Sequence, residues 1–255
     1  MLGAITGDII GSIYEINNIK TKEFELLTED CFFTDDTVLT VALADAILND
    51  RDYGEVMREY YHEYPNAGYG GTFHQWAFNT EMGPYNSWGN GSAMRTSPVG
   101  LAFDDLDAVI AMAEHFASFT HNHPEGIKGA QSVSSAIFLA RKGASKDDIK
   151  KVIVDKFDYD LSFTLDEIRP DYSFDVSCQG TVPQAIVSFL ESENYEDAVR
   201  NAISLGGDSD TLACITGSIA EAYYGEVPQH ISRKALAILD DRLTSVLNRF
   251  YEKFI

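Results

Sequence analysis

Residues 35–48 (DDTVLTVALADAIL) are apolar around most of their circumference when they are placed on an α-helix. A helix of this composition has to be covered on all sides, and Thr34 stands where it can cap the first turn. Elsewhere, apolar residues recur mostly at helical spacing, and alternating β-branched runs bounded by turns are scarce. The sequence therefore predicts a predominantly α fold with this segment as a central, buried helix.

Further helices are predicted from apolar spacing together with end signals. Gly143 ends one of them, Ser145 with Asp148 resembles a capping box that opens the next, and Gly225 ends another. The approximate ranges are 105–119, 125–143, 146–157, 181–191, 195–205, 211–224 and 229–251. Residues 64–98 and 158–180 lack a helical period and are expected to be functional loops. Because no repeat or composition break divides the chain, residues 1–255 are predicted to form one domain.

Charge and composition exclude several classes of protein. The chain carries 40 acidic and 19 basic residues, a net charge of −21, so non-specific binding to nucleic acid or to an anionic membrane is not expected. Its three cysteines, Cys31, Cys178 and Cys214, are widely separated, as is typical of a reducing cytosol. The first segment carries Asp8 and Glu15 and lacks a basic region, so it is not expected to be a signal peptide, and no apolar stretch reaches the length of about 18–20 residues that a membrane span needs. A soluble, cytoplasmic protein is predicted, and its oligomeric state is left open.

Two acidic clusters stand directly before strongly apolar helical segments. The first is Thr34-Asp35-Asp36-Thr37, and the second is Gly206-Gly207-Asp208-Ser209-Asp210-Thr211. Each alone is explained as a helix N-cap, because carboxylates are favoured at that end of a helix. Brought together, the four carboxylates would repel one another strongly unless a cation lay between them. Oxygen ligands suit Mg²⁺, Mn²⁺ or Ca²⁺ rather than zinc, and a centre of two ions positions a substrate oxygen and a water together.

The first segment, MLGAITGDIIGSIYE, carries glycines at positions 3, 7 and 11. On a helix these glycines share one face, which lets another backbone approach closely. Asp8 and Glu15 are seven residues apart and also share roughly one face. Glu15 stands at the end of the segment and is the acid most free to face a site.

Two other segments are candidates for contact with a ligand. Gly89–Arg95 (GNGSAMR) is a small-residue turn whose backbone N–H groups could converge on an anion, although a plain turn explains it equally well. Thr120–Pro124 holds His121 and His123, which either cap a helix or contact a ligand, since no third residue completes a zinc site. Four aromatic residues of the irregular region 64–98 could stack on a nucleobase or pack in a loop: Tyr69, Trp76, Tyr85 and Trp88. No Ser or Cys stands in a pattern typical of a nucleophile.

Five motifs taken in order resemble the ADP-ribosylglycohydrolase family, which contains the dinitrogenase reductase-activating glycohydrolases and the ADP-ribosylhydrolases. The resemblance runs from residue 1 to about 225, with the motifs in family order. Each motif alone is modest, but the five in sequence are specific. They are MLGAITGDIIGSIYE, FFTDDTVLTVALADAIL, GNGSAMRTSPVG, FTHNHPEG and SLGGDSDTLACITGSIAEAYYG.

The resemblance implies an all-α fold, a single-domain orthogonal helical bundle with a binuclear Mg²⁺ or Mn²⁺ centre in a cleft. Glu15 matches a glutamate at the entrance of the metal site with an acid/base or gating role. The turn and the two histidines match segments that line the ADP-ribose cleft. The residues that match the metal ligands are Thr34, Asp35, Asp36, Asp208, Asp210 and Thr211, and the substrate-binding candidates are Asn90, Gly91, Ser92, Met94, His121 and His123.

The implied reaction is hydrolysis of the ribosyl C1″ bond through an oxocarbenium-like state. The water proton is expected to pass to Asp36, Asp210 or Glu15. We expect release of ADP-ribose from a mono-ADP-ribosylated protein or small-molecule acceptor, with ADP-ribosylarginine on protein as the first candidate. The alternatives are an O-linked acceptor (ADP-ribosylserine, O-acetyl-ADP-ribose or an ADP-ribosylated nucleotide), a non-catalytic ADP-ribose-binding module and a metal-dependent phosphohydrolase. Acceptor choice is expected to depend on residues 16–31, 64–88 and 158–180.

Overall fold

The computed structural model describes residues 1–255 and consists of fifteen helices without a β-sheet. The one β-type pairing is an isolated antiparallel bridge between Gly89 and Ser177. The prediction of an all-α fold is therefore confirmed. The helices are α1 Leu2–Ile16, α2 Asp35–Asn49, α3 Tyr53–Glu63, α4 Gly71–Phe78, α5 Gly91–Met94, α6 Ser97–Ala102, α7 Leu106–Ala117, α8 Pro124–Arg141, α9 Lys146–Phe157, α10 Leu165–Ile168, α11 Cys178–Leu190, α12 Tyr195–Ile203, α13 Ser209–Tyr224, α14 Gln229–Leu236 and α15 Asp241–Phe254.

Helices α1 and α13 pack together at the centre with their backbones in close approach. A Cβ built on Gly7 would lie 2.1 Å from the carbonyl oxygen of Ala213, and one on Gly11 would lie 2.5 Å from the Cα of Asp210. Gly3 meets the backbone of Gly217 in the same way. The predicted role of the three glycines is confirmed. Because no larger residue fits, this packing fixes the first turn of α13 against the second half of α1.

Helix α2 is buried over most of its length, as its sequence predicts. Residues 36–46 are all buried, and Thr34 caps the helix by accepting a hydrogen bond from the backbone N–H of Asp36 at 3.3 Å. The surrounding helices contribute to one core of 68 buried apolar side chains. The first turns of α2 and α13 thus come to lie beside α1, in the middle of the molecule.

Several helix boundaries differ from the sequence prediction. Helix α11 begins at Cys178 rather than at 181, because Ser177 caps it by accepting the N–H of Gly180, so that Pro183 lies inside the helix. The single helix predicted for 229–251 is wrong: α14 and α15 are separate, and Asp240 caps the second of them.

The two irregular stretches contain more helix than the sequence suggested. Region 64–98 contains α4, α5 and the start of α6, and region 158–180 contains α10 and the start of α11. Tyr69 and Trp76 pack into the core, whereas Trp88 is 48% exposed. None of the helices has the length and apolarity needed to traverse a lipid bilayer.

Candidate metal centre and ligand cavity

The two acidic clusters meet because α2 and α13 begin beside each other against α1. Carboxylate oxygens of Asp8, Asp36 and Asp210 lie within 4.8 Å of one another, and so do those of Glu15, Asp208 and Asp210. Asp210 belongs to both groups and joins them. The hydroxyl of Thr211 donates to Oδ2 of Asp36 at 3.3 Å, which links the first turns of the two helices directly. The structure thus brings together the acids of both clusters that the sequence assigned to metal binding.

The carboxylates of this centre have little to balance their charge. Burial, with the nearby carboxylates of Asp8 and Asp208, raises the pKa of Asp35 to about 8. Burial and neighbouring carboxylates also raise the pKa of Asp36 and Asp210 well above the ordinary value. Oδ1 of Asp36 is buried without a hydrogen-bond partner. Crowded carboxylate oxygens with a free lone pair are the donor set of a hard divalent cation, so the residues fit Mg²⁺ or Mn²⁺.

Asp8 supports the centre from α1. It accepts hydrogen bonds from the backbone N–H of Thr34 at 3.0 Å and from the hydroxyl of Thr34 at 2.7 Å. It also accepts from the N–H and the hydroxyl of Thr37. Burial raises the pKa of Asp8 to about 6. These bonds orient Thr34 toward the centre. The sequence signal for this role was a lone acid within a glycine-rich, apolar helix.

Glu15 lies in the last turn of α1 and is half-buried. Burial, with the carboxylates of Asp208 and Asp8, raises its pKa. Asn18 fixes this end of the helix, since its Nδ2 donates to the carbonyls of Tyr14, Glu15 and Gly207, and its Oδ1 accepts the N–H of Gly207 at 2.6 Å. Gly207 has φ +77°, a conformation that favours glycine. Asn18, which sequence reasoning missed, therefore connects Glu15 to the loop that carries Asp208.

A cavity of about 760 Å³ opens onto the centre, a volume typical of small-molecule sites. The seven acids and threonines predicted for the metal site or for proton transfer line one end. The other end is formed by the 85–95 segment, by His121 and by the loop before α11. The residues of the first end are Glu15, Thr34, Asp35, Asp36, Asp208, Asp210 and Thr211, and those of the second include Tyr85, Trp88, Gly89, Asn90, Gly91, Met94, Arg95, His121, Phe174 and Val176.

Four of the six predicted substrate-binding residues line this cavity, namely Asn90, Gly91, Met94 and His121. Nδ2 of Asn90 donates to Oδ2 of Asp208 at 2.7 Å, so Asn90 joins the two ends.

Ser92 and His123 lie outside the cavity lining. The hydroxyl of Ser92 donates to the carbonyl of Gly126 at 2.7 Å, and Nδ1 of His123 caps α8 by accepting the N–H of Glu125 at 3.1 Å. Both side chains are occupied by helix packing or capping, so the structure does not bring them to the cavity wall.

Arg95 is the cation of the cavity. It is 2% exposed, and its guanidinium forms no ion pair with a carboxylate. Its Nη2 donates to the hydroxyl of Thr120 at 2.6 Å and contacts Nδ1 of His121 at 3.4 Å. Sequence analysis noted Arg95 only as the end of a turn. The cavity therefore has an acidic end and an end with a buried positive charge, and the hydrogen bond of Asn90 to Asp208 joins them.

Comparisons with known proteins agree with this geometry. Residues 1–255 match the family model described as ADP-ribosylglycohydrolase. Human ADP-ribosylhydrolase ARH3 is 25% identical over an alignment that covers 99% of this chain and 93% of the human protein. ADP-ribosylarginine hydrolase Tri1 of Pseudomonas putida is 24% identical over 88% of this chain and 69% of that protein.

A solved structure described as an ADP-ribosylglycohydrolase-related protein complex shares the fold, with a TM-score of 0.73 at 22% identity over 100% of this chain and 97% of that one. The match of the family model is independent of that likeness and extends over the whole chain. The chain therefore belongs to the ADP-ribosylglycohydrolase family and is a glycosidic-bond hydrolase.

Proposed function

We propose that this enzyme uses divalent cations to hydrolyse the ribosyl C1″ bond of a mono-ADP-ribosylated acceptor and releases ADP-ribose. The observation that carries the proposal is the meeting of both acidic clusters at one end of a cavity of about 760 Å³. The opposite end offers what the rest of an ADP-ribose needs: aromatic side chains for a base and a buried positive charge near a diphosphate.

The residues that would hold two ions, Mg²⁺ or Mn²⁺, are those of the two helix N-termini: Thr34, Asp35, Asp36, Asp208, Asp210 and Thr211. The unpartnered Oδ1 of Asp36 and the shared position of Asp210 support this assignment. When bound, the ions supply Lewis acidity toward the ribose hydroxyls and the attacking water.

The chain's own carboxylates account for the proton transfer. Water attacks C1″ as the bond to the acceptor breaks, and one proton of the water has to leave. Asp36, Asp210 and Glu15 are the acids at this end of the cavity, and burial with neighbouring carboxylates raises the pKa of each, which favours acceptance of a proton. Glu15 is the most exposed of the three, so its proton can also reach the departing acceptor atom at the cavity mouth.

The O-linked acceptor is the better supported of the two bond types. Relatives named ADP-ribosylhydrolase ARH3, a name that does not specify arginine, align with nearly the whole chain. The relative named for arginine aligns over a smaller share of its own length. The arginine acceptor remains the second candidate, because the acidic end of the cavity suits a cationic guanidinium.

The test is release of ADP-ribose from two matched peptides, one modified on serine and one on arginine, with Mg²⁺ and with EDTA. We expect release that EDTA abolishes, and a faster rate with the serine-linked peptide. A faster rate with the arginine-linked peptide would reverse the order of the acceptors. If neither peptide nor O-acetyl-ADP-ribose is cleaved while ADP-ribose still binds in a metal-dependent manner, the hydrolase proposal is wrong and a binding role replaces it.

A further inference from the structure

The proposed function places the positive charge of Arg95 near a diphosphate but does not explain the hydrogen bonds that this buried side chain makes. Burying a guanidinium without a carboxylate partner carries a large desolvation penalty. Its contacts are instead the hydroxyl of Thr120, Nδ1 of His121 and, at 5.8 Å, the ring of Tyr53. All three are neutral, and Arg95 forms no ion pair; its charge acts on Asp35 only as the smallest of the causes that set the pKa of that carboxyl. A function in the adjoining cavity explains its retention better than stability does.

The hydrogen bonds around His121 determine which ring nitrogen carries the proton. A guanidinium only donates, so Nδ1 of His121 has to accept from Nη2 of Arg95. The hydroxyl of Thr120 accepts from the same Nη2 at 2.6 Å and lies 2.8 Å from Nδ1, toward which it directs its own hydrogen. Two donors therefore face Nδ1. The proton of the imidazole is left on Nε2.

The Nε2 edge of the ring lies against the glycine-rich turn that lines the cavity. Nε2 stands 3.2 Å from the position of a Cβ on Gly91 and 3.7 Å from that of a Cβ on Gly89. Burial and the charge of Arg95 hold the pKa of His121 well below its ordinary value, so the ring is neutral. The Nε2–H bond therefore lies beside the wall of the cavity that Gly89 and Gly91 form.

We propose that Arg95 is a positioning residue that holds His121 as the Nε2–H tautomer, so that the ring donates a hydrogen bond to a phosphate oxygen of the ligand. The hydroxyl of Thr120 accepts from the guanidinium and donates its own hydrogen to Nδ1, so it is the second donor that faces this nitrogen. The identity of the ligand rests on the proposed function, whereas the tautomer does not. Arg95 also contributes its charge to the same end of the cavity, which favours an anionic group there.

The first experiment measures the tautomer by ¹⁵N NMR of the imidazole in the metal-free protein at pH 7, with the His121 signals assigned by their loss in His121→Gln. We expect Nδ1 to be unprotonated and Nε2 to be protonated. A proton on Nδ1 overturns the proposal. This measurement needs neither substrate nor turnover, so it separates failure of this inference from failure of the proposed function.

The second experiment is a double-mutant cycle on the affinity for ADP-ribose in Mg²⁺. A glutamine at 121 presents its amide N–H near the Nε2 position and has no tautomer to fix. We expect Arg95→Met to weaken binding about tenfold in the wild-type background, as befits a hydrogen bond to a charged group. In the His121→Gln background the loss should be at least about threefold smaller, because only the contribution of the charge is then removed. Equal losses in both backgrounds would show that Arg95 acts only through packing or charge, and would overturn the proposal.

Two controls keep this cycle interpretable. Arg141→Met removes another largely buried arginine, which donates to the carbonyl of Phe103 outside the cavity, and should leave the affinity for ADP-ribose unchanged. If Arg95→Met does not fold, Thr120→Val removes the second donor instead. This variant should raise the fraction of His121 protonated on Nδ1, and an unchanged tautomer in it would contradict this role of Thr120.

Discussion

At one end of the cavity, acids from three helices face one another without a cationic side chain in contact, whereas at the other end a buried guanidinium holds a neutral imidazole. Each end is incomplete by itself. The acids have no cationic side chain in direct contact, and Arg95 has no carboxylate in direct contact. The difference indicates that the two ends are completed by different parts of what they bind, the acids by divalent cations and the arginine by a phosphate-bearing ligand.

The largest effect should come from removing an acid that both carboxylate groups share. Asp210→Asn keeps the shape of the side chain but removes the charge, and we expect turnover to fall by about 10²–10⁴-fold, the range for a group that transfers a proton. The fold should persist, because the change also relieves repulsion among buried carboxylates. ADP-ribose release and thermal denaturation measure the two effects.

Asp241→Asn is the matched control, since Asp241 is exposed at the start of α15. It should leave turnover within about twofold, as surface substitutions usually do. Full activity in Asp210→Asn would show that the acidic end takes no part in the reaction. The two ends would then not differ in the way proposed.

A smaller effect is expected at Asp8, whose hydrogen bonds to Thr34 orient that residue toward the centre. Asp8→Asn replaces one carboxylate oxygen by an NH₂ group. If that oxygen is Oδ2, the backbone N–H groups of Thr34 and Thr37 lose their acceptor. The concentration of Mg²⁺ at half-maximal activity should rise about 10–100-fold, as for other residues that orient metal ligands. Turnover at saturating Mg²⁺ should fall less.

Asp45→Asn is the control for loss of a buried aspartate, because Asp45 lies in α2 away from the cavity and bonds Asn49 and Tyr60. It should lower thermal stability without changing the requirement for Mg²⁺. If Asp8→Asn and Asp45→Asn behave alike, Asp8 supports only the fold.

The acidic end also predicts how stability depends on pH. Asp8 and Asp35 have raised pKa values of about 6 and about 8, so the folded, metal-free protein binds more protons than the unfolded chain between about pH 4 and 8. Its free energy of unfolding therefore falls as pH rises through this window. In EDTA the melting temperature should drop by about 3 °C or more from pH 5 to pH 8, and Mg²⁺ should reduce the drop.

Asp35→Asn tests whether the centre causes this slope. The variant should be less sensitive to pH in EDTA than the wild-type protein, and it should respond less to Mg²⁺. A slope that neither Mg²⁺ nor Asp35→Asn changes would place its origin in the overall charge of −21 rather than in the cavity.

The acidic end could be predicted from sequence because its residues are neighbours in the chain. The sequence shows two acidic pairs directly before apolar helical segments, namely Asp35 with Asp36 and Asp208 with Asp210. The glycines of α1 likewise predicted the close packing that brings them together. Asp8 and Asn18 were not assigned, because their roles arise only where α1 meets Thr34 or Gly207, far along the chain.

The opposite end was less predictable for the same physical reason. His121 and His123 are equivalent in sequence, yet one faces the cavity and the other caps α8. Which of them reaches the ligand depends on the packing of α8 against the 85–95 segment. Ser92 was expected to contact the ligand as part of the 89–95 turn. Its hydroxyl instead donates to the buried carbonyl of Gly126. A local sequence pattern shows that such residues are polar and conformationally constrained. It does not show which way their side chains point.

The smallest effect tests the opposite end alone. Gly91 has no positive φ, so alanine is compatible with its backbone, but the added Cβ would lie 3.2 Å from Nε2 of His121. Gly91→Ala should therefore shift the imidazole and weaken binding of ADP-ribose about threefold, a fraction of one hydrogen bond. Calorimetric titration with ADP-ribose measures this, and Gly83→Ala, where a Cβ meets nothing within 4 Å, is the control. The Mg²⁺ requirement should stay the same in both variants. The hydrogen bond from Asn90 to Asp208 joins the two ends, so a parallel loss of Mg²⁺ affinity in Gly91→Ala would show that the change is transmitted through this contact.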